Sequence, residues 1–487
     1  MRTNPIITGV LLCLLIAMSG CKKFVEKGNV NIDPNKPPFA TLATLLPAVE
    51  YSTANNQGLL GYITTLFPQQ MAAYSAGPIN EDQNNEVRIS SAFEGIYKDG
   101  ITNSTLIIAM SKEQGAPHYT AIGRILLVTN LILATDTWGD VPLTDAIKAP
   151  AVLYPTYDSQ QSIYEYMQKS LDSAIIESKA VNPTTLRPSI DDMIFAGDTS
   201  AWRRTAWLLK ARLYMHTTKK GATAAAANAL DALANGLLPT SKDYQLAFSE
   251  RNPNPWFVNV SGRISGSATY TIGPAKRFVD ALSGAAYPGL VDPRIDKLIF
   301  KRATASTYVG ITNGLANTGN TTDLTDVTFF AQRGSPLLMG SYAEQKLMEA
   351  EARFLLNGGT TSSVGSTQEA YDAYIAGITA SMSKLGVNGA AYLANPQVAA
   401  GAAGLTLEHI LREKQVVLFL HPDAWADVRR YDYNEDLFAG MVLPERQNAN
   451  MGGQFIRRAQ LPLNELNRNP EAQEAVKPMT EKLWWDQ

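Results

Sequence analysis

Two loop clusters hold the residues best suited to grip a ligand. The first runs Gln69-Gln70-Met-Ala-Ala-Tyr74, then Asn80-Glu-Asp82-Gln-Asn-Asn85, Arg88 and Phe93. The second runs Arg251-Asn-Pro-Asn-Pro-Trp256-Phe257, then Tyr270 and Tyr287. Aromatic faces stack on the apolar face of a sugar ring, while Asn, Gln and Arg side chains hydrogen-bond neighbouring hydroxyls. The candidate ligand contacts drawn from these clusters are Tyr74, Asn80, Asp82, Arg88, Phe93, Trp256 and Tyr270. The competing reading of each is a loop or core group satisfied within the protein.

Catalytic chemistry is poorly provided for. The chain has no GxSxG elbow, GxxxxGK[ST] loop, HExxH or GxGxxG. Its four histidines, His118, His216, His409 and His421, have no His partner at ligand spacing, and two cysteines exclude a zinc ribbon or a disulfide framework. Asp432-x-Asn434-x-Asp436 opens like a calcium loop, but Leu437 and Leu443 stand where that loop needs glycine and a bidentate carboxylate. The close acids Asp191/Asp192, Glu81/Asp82 and Asp423/Asp427 are what chance gives among 45 acidic residues. No catalytic residue, metal ligand set or cofactor is therefore expected.

The 42 basic against 45 acidic residues leave a formal charge of −3, with no clustered basic excess of the kind phosphate binding needs, so nucleic acid is not an expected partner. A chain 45% hydrophobic and 18% charged, 487 residues long, can bury a large core.

The cysteines place the chain. Residues 1–20 carry Arg2 and then an uncharged run from Ile6 to Met18, which as a helix reaches about 20 Å, short of a bilayer's hydrocarbon core. This reads as an export signal that takes Cys13 with it. Met18-Ser19-Gly20-Cys21 resembles a bacterial lipobox, with Cys21 as the lipidated first residue of the mature chain. Residues 21–40, with their charges, Asn, Gly and prolines, read as a tether, and 41–487 as a single folded domain. Loss of the signal leaves a formal charge of −4.

The elements that must position the loops are helices, expected over 41–56, 90–112, 118–136, 160–180 and 405–420, with two further pairs. One pair starts at Ala201, capped from Asp198, Thr199 or Ser200, and continues into the alanine-rich stretch before Pro239. Trp207-x-x-Lys210-Ala211-x-x-Tyr214 within it resembles the first helix of a tetratricopeptide repeat. The other pair spans 341–354 and 368–384. Stretches 240–335 and 386–404, rich in Gly, Thr, Asn and Pro, connect them. The expected fold is all-α, tetratricopeptide-like helix pairs carrying a large loop-rich ligand-binding region.

At Asp136-Thr-Trp-Gly-Asp140-Val-Pro142-Leu-Thr-Asp145-Ala146 the chain resembles the SusD/RagB family of outer-membrane nutrient-binding lipoproteins. Further segments resemble the family in order: Trp202-Arg-Arg to Arg212, Asp292-Pro-Arg294, Tyr342-Ala-Glu to Glu351-Ala, Ile410-Leu-Arg-Glu-Lys-Gln, Trp425-x-Asp427-Val-Arg-Arg430, and Pro462-Leu-Asn-Glu465 to Asn469. The family's second glutamate and following glycine are missing from the segment Arg412 to His421. The resemblance implies a lipid-anchored, cell-surface protein of the outer membrane, not an enzyme. It implies a lid on a SusC-like TonB-dependent transporter that captures oligosaccharide and delivers it for import. An oligopeptide ligand in the same role, or a surface hydrolase, are the alternatives. Trp138 and Trp425 are expected in the core rather than at the ligand.

Overall fold

Capping side chains start the helices where the sequence supplies them. The computed structural model describes residues 40–148, 151–316 and 319–487, so the expected signal, Cys21 and the expected tether up to residue 39 lie outside the described residues. Helix α1 (Leu42–Thr64) is opened by a capping box at Thr41. Helices α2 (Thr102–Glu113) and α3 (Pro117–Trp138) follow. Ser159 caps α4 (Gln160–Glu177), and Asp198, of the three residues that could have served, caps α5 (Thr199–His216) through the amides of Ser200 and Ala201. After α6 (Ala222–Leu233) come α7 (Tyr342–Leu356), with a Ser341/Glu344 capping box, and α8 (Gln368–Leu385), capped by Thr367 and ended by left-handed Gly386. Helices α9 (Leu407–Val417) and α10 (Asp423–Arg430) complete the scaffold.

Each helix from α2 to α8 packs on the next in chain order, with α9 against α7. The fold is all-α, built from antiparallel helix pairs of the tetratricopeptide kind. Small residues allow the closest crossings: Ala211 of α5, Ala226 and Ala229 of α6, and Ala352 of α7 share one buried cluster. Helix α3 is long and apolar enough to cross a membrane, yet it runs through the interior with nearly every residue buried. Trp138 and Trp425 lie in the core, 2% and 1% exposed.

The expected helix over 90–112 is instead broken. Ser90–Gly95 leads into a π-helical stretch, Ile96–Ile101, before α2. The extra residue per turn lets Gly100 approach α3, where a Cβ would sit 2.2 Å from the Asn130 Oδ1. Asn130 is itself fixed by Thr53 and the Leu126 carbonyl.

Family-like segments far apart in sequence meet as buried ion clusters between the helices. Glu351 of α7 and Asp427 of α10 each accept from Lys414 of α9 at 3.0 Å, and both also face Arg430. Arg294 sits between Asp292 and Glu413.

The region 240–335 is loop-rich but carries short strands. Strand β1 (Met71–Ala73) pairs antiparallel with β3 (Ile272–Pro274), after β2 (Tyr244–Leu246), which pairs with β6 (Leu337–Gly340); β4 (Phe300–Lys301) pairs with β5 (Thr322–Asp323). A parallel bridge from Ala275 to Ile311 extends the β1–β3 ribbon. That ribbon is the frame of the site.

Candidate ligand-binding site

A cavity of about 330 Å³ opens beside the β1–β3 ribbon. Gln69, the short helix Lys276–Asp280, Thr312, Asn313 and the segment around Glu445 line it. Its wall is tied together by one carboxylate. Asp82 Oδ2 accepts the amides of Ala73 at 3.0 Å and Gly314 at 2.8 Å, and Oδ1 accepts from Asn313 Nδ2 at 2.7 Å. Asn313 also donates to the Met71 carbonyl, and the Asn313 carbonyl receives the Glu445 amide. Gly314 has φ +79°, and a Cβ there would lie 2.0 Å from the Glu445 carbonyl oxygen, so the wall closes only around glycine. Gln69, at φ 55°, donates to the Val442 carbonyl on the opposite side.

Burial pushes the Asp82 carboxyl up to about 6, against the pull of the Gly314, Ala73 and Asn313 donors, which favour the charged form. Asp82→Asn keeps the shape but leaves amide hydrogens facing amide hydrogens. We expect it to cost about 1–3 kcal/mol in urea unfolding and to loosen the cavity wall. An unchanged unfolding midpoint would contradict that role.

Tyr74 and Tyr270 meet at the other end of the ribbon, where the Tyr74 amide donates to the Thr271 carbonyl. Their ring centroids are 5.3 Å apart, and the Arg302 guanidinium lies 5.2 Å from the Tyr270 centroid. The buried Tyr74 hydroxyl donates to Asp323 at 2.7 Å and accepts from Asn320, while Arg302 Nε pairs with Asp323 at 2.7 Å. Tyr270 keeps part of its ring open to solvent.

The other sequence candidates are placed apart. Asn80 is exposed on the one-turn helix Ile79–Asp82, which also carries Asp82. Arg88 pairs with Glu86 and donates to the Leu461 carbonyl, held against the C-terminal segment. Phe93 is 6% exposed and packs edge-on against Trp138 at 5.1 Å. Trp256 is 3% exposed within the main core. Neither Arg88, Phe93 nor Trp256 lines the cavity or touches the Tyr74–Tyr270 cluster. Large rings gain more from burial than from a loop surface, so they are taken into packing first.

Sequence reasoning missed Lys276, Arg277, Thr312, Asn313 and Glu445. The Asn313-Gly314 dipeptide was the available signal, since it marks a turn with positive φ.

One cluster has a metal-ligand inventory. Ligand-type atoms of Asp136, His216 and Asp423 lie within 4.8 Å of one another and are buried. A proton already serves it. His216 Nε2 lies 2.8 Å from Asp423 Oδ1, and Nδ1 lies 2.9 Å from the Tyr164 hydroxyl, whose own hydrogen goes to Asp136. Both ring nitrogens thus face acceptors and both carry hydrogen. Burial alone would pull the imidazole down, but Asp423 and Asp136 hold it up at about 9. Arg212 Nε, 3.8 Å from Asp423, adds a second positive charge. An imidazolium beside a guanidinium is a poor cation site.

The profile of a SusD-like family described as starch-binding and associating with the outer membrane matches residues 34–462. A SusD homologue from Bacteroides uniformis superposes with a TM-score of 0.72 at 20% identity, covering 92% of this chain and 99% of its own. A SusD/RagB family protein from Bacteroides thetaiotaomicron gives 0.71 at 21%, covering 92% and 99%. A chitin-binding SusD homologue from Flavobacterium johnsoniae gives 0.70 at 22%, covering 92% and 97%. A comparison with functionally curated proteins gives no match. The matched family is one of binding proteins rather than enzymes, associated with glycan and with the outer membrane. With the profile spanning most of its length and the same helix-pair fold, the chain belongs to the SusD/RagB family.

Proposed function

We propose that this protein is a lipid-anchored lipoprotein on the outer face of the outer membrane, which binds an oligosaccharide and passes it to a SusC-like TonB-dependent transporter. The observation that carries the reading is the cavity of about 330 Å³, apolar walls with a few polar and charged groups, on the loop-rich side of a SusD-like scaffold, at the lower end of the range for small-molecule sites. The lipobox-like Met18-Ser19-Gly20-Cys21 supports the anchor, with residues 21–40 as tether and 41–487 as one body. Exposed Asn80 and the open part of Tyr270 flank the ribbon on which the cavity is built, and are the sequence candidates best placed to add contacts. The chemistry required is stacking and hydroxyl recognition without bond cleavage, followed by release inward. Isothermal calorimetry of the protein against neutral and acidic oligosaccharide panels tests this. Saturable heat with at least one glycan class is expected; heat with oligopeptides alone, or with nothing, would reject it.

A further inference from the structure

We propose that the cavity contains an anion subsite built on Arg277, so that the ligand is an acidic oligosaccharide whose uronate carboxylate pairs with that guanidinium. This rests on the glycan-binding reading and narrows its ligand class.

Arg277 lies on the short helix Lys276–Asp280 and lines the cavity. Its Nη1 donates to the Pro68 carbonyl at 2.9 Å. Among the described residues it has no carboxylate partner, Nε is shielded from water without an acceptor, and Nη2 makes no hydrogen bond. With Nε closed off, Nη2 is the donor left for a carboxylate entering the cavity, through one charge-assisted hydrogen bond.

Other deeply placed arginines are provided for. Arg212 faces Glu344 at 2.7 Å, Arg294 faces Asp292 and Glu413, and Arg430 faces Glu351 and Asp427. Arg429 lacks such a pair but donates to the Trp425, Asp136 and Arg457 carbonyls and stacks 3.8 Å from the Trp425 centroid. Arg277 has one carbonyl and a Phe438 ring 5.9 Å away. Burial pulls its guanidinium down to about 10, which leaves it charged at neutral pH. A half-buried cation with no carboxylate partner and one unused donor at a cavity is favourably met by a bound anion.

The remaining charges at the cavity do not cancel this. Asp280 is engaged by Lys276 in an ion pair. Glu445 is exposed, where solvent screens its repulsion of an acidic ligand.

Calorimetry with oligogalacturonate, oligomannuronate and an oligoglucuronate, each beside its carboxyl-reduced neutral counterpart, tests the subsite. At least one acidic member should bind about tenfold or more tightly than its neutral twin, with an affinity that falls as salt rises. Arg277→Gln should weaken the acidic ligand far more than its neutral twin, so that the preference is lost, and Arg277→Lys should restore only part of it. Glu445→Gln, on a surface where folding is not at stake, should strengthen acidic binding about two- to threefold at low salt. Neutral and acidic ligands binding alike, or acidic binding indifferent to both substitutions, would overturn the subsite and leave the glycan reading intact. No heat with these or with the neutral panel would overturn both.

Discussion

Glu351→Gln is expected to destabilise the fold by about 3–5 kcal/mol, read from the urea midpoint at constant slope. Glu351 is fully buried, accepts from Lys414 at 3.0 Å and the Tyr431 hydroxyl at 2.6 Å, and pairs with the Arg430 guanidinium at 2.8 Å. Burial would raise its carboxyl, yet Arg430 and Lys414 hold it down at about 2, so it is ionised at any ordinary pH. The amide leaves two buried cations against Asp427 alone and turns an N–H toward a cation. A surface pair on the same helix gives the contrast. Glu349, between Lys346 and Arg353, is partly solvated, and Glu349→Gln should cost less than about 1 kcal/mol. Adding Lys414→Met to Glu351→Gln should recover part of the loss, because Arg430 keeps its 2.6 Å pair with Asp427. If Glu351→Gln and Glu349→Gln cost the same, the ion cluster is not what binds α7 to α9 and α10.

That cluster shows what was legible in the sequence and what was not. Helix starts were legible because caps are local: Asp198 and the Ser341/Glu344 box act within three residues of their own helices. The π-helical stretch at Ile96–Ile101 was not, because the close approach it serves is to Asn130 on α3, about thirty residues on. Asp423 and Asp427 read as a chance pair by spacing, yet Asp427 faces Lys414 and Arg430 while Asp423 faces His216 and Arg212. Lys414 lies 13 residues from Asp427 and His216 lies 207 from Asp423, and partners so far apart leave no local signal. The candidate site shows the same limit. The loop chemistry located Asp82 and Tyr74, but their side chains are spent on holding Asn313 and Asp323, and the cavity-lining Arg277 and Asn313 stand in segments outside the two clusters that the loop chemistry singled out. Residue type says what a side chain can do; burial decides whether a ligand or the protein receives it.

Stability should fall as pH rises from about 6.5 to about 9, by on the order of 3 kcal/mol, because of His216. The imidazole binds its proton up to about 9 in the folded chain and only up to 6.5 when unfolded. Between those values the folded state holds the extra proton, so raising pH favours unfolding, and the full contribution is present below 6.5. Asp423 acts on the acid side. Burial would raise its carboxyl, but His216 and Arg212 hold it well below 3.8, so its contribution is present above that value and is lost as pH falls further. The two effects leave a plateau in the mildly acidic range. Losing the His216 proton strands a lone pair against either Asp423 or the Tyr164 hydroxyl, so α5 loses its grip on α10 and on α4 together. His216→Gln can satisfy one of those partners without the charge. It should be destabilised most in the plateau and least near pH 9, where the wild-type contribution has gone. Urea midpoints for both proteins across pH 5 to 10 measure this, and parallel curves would show that the His216 proton is not what joins these helices.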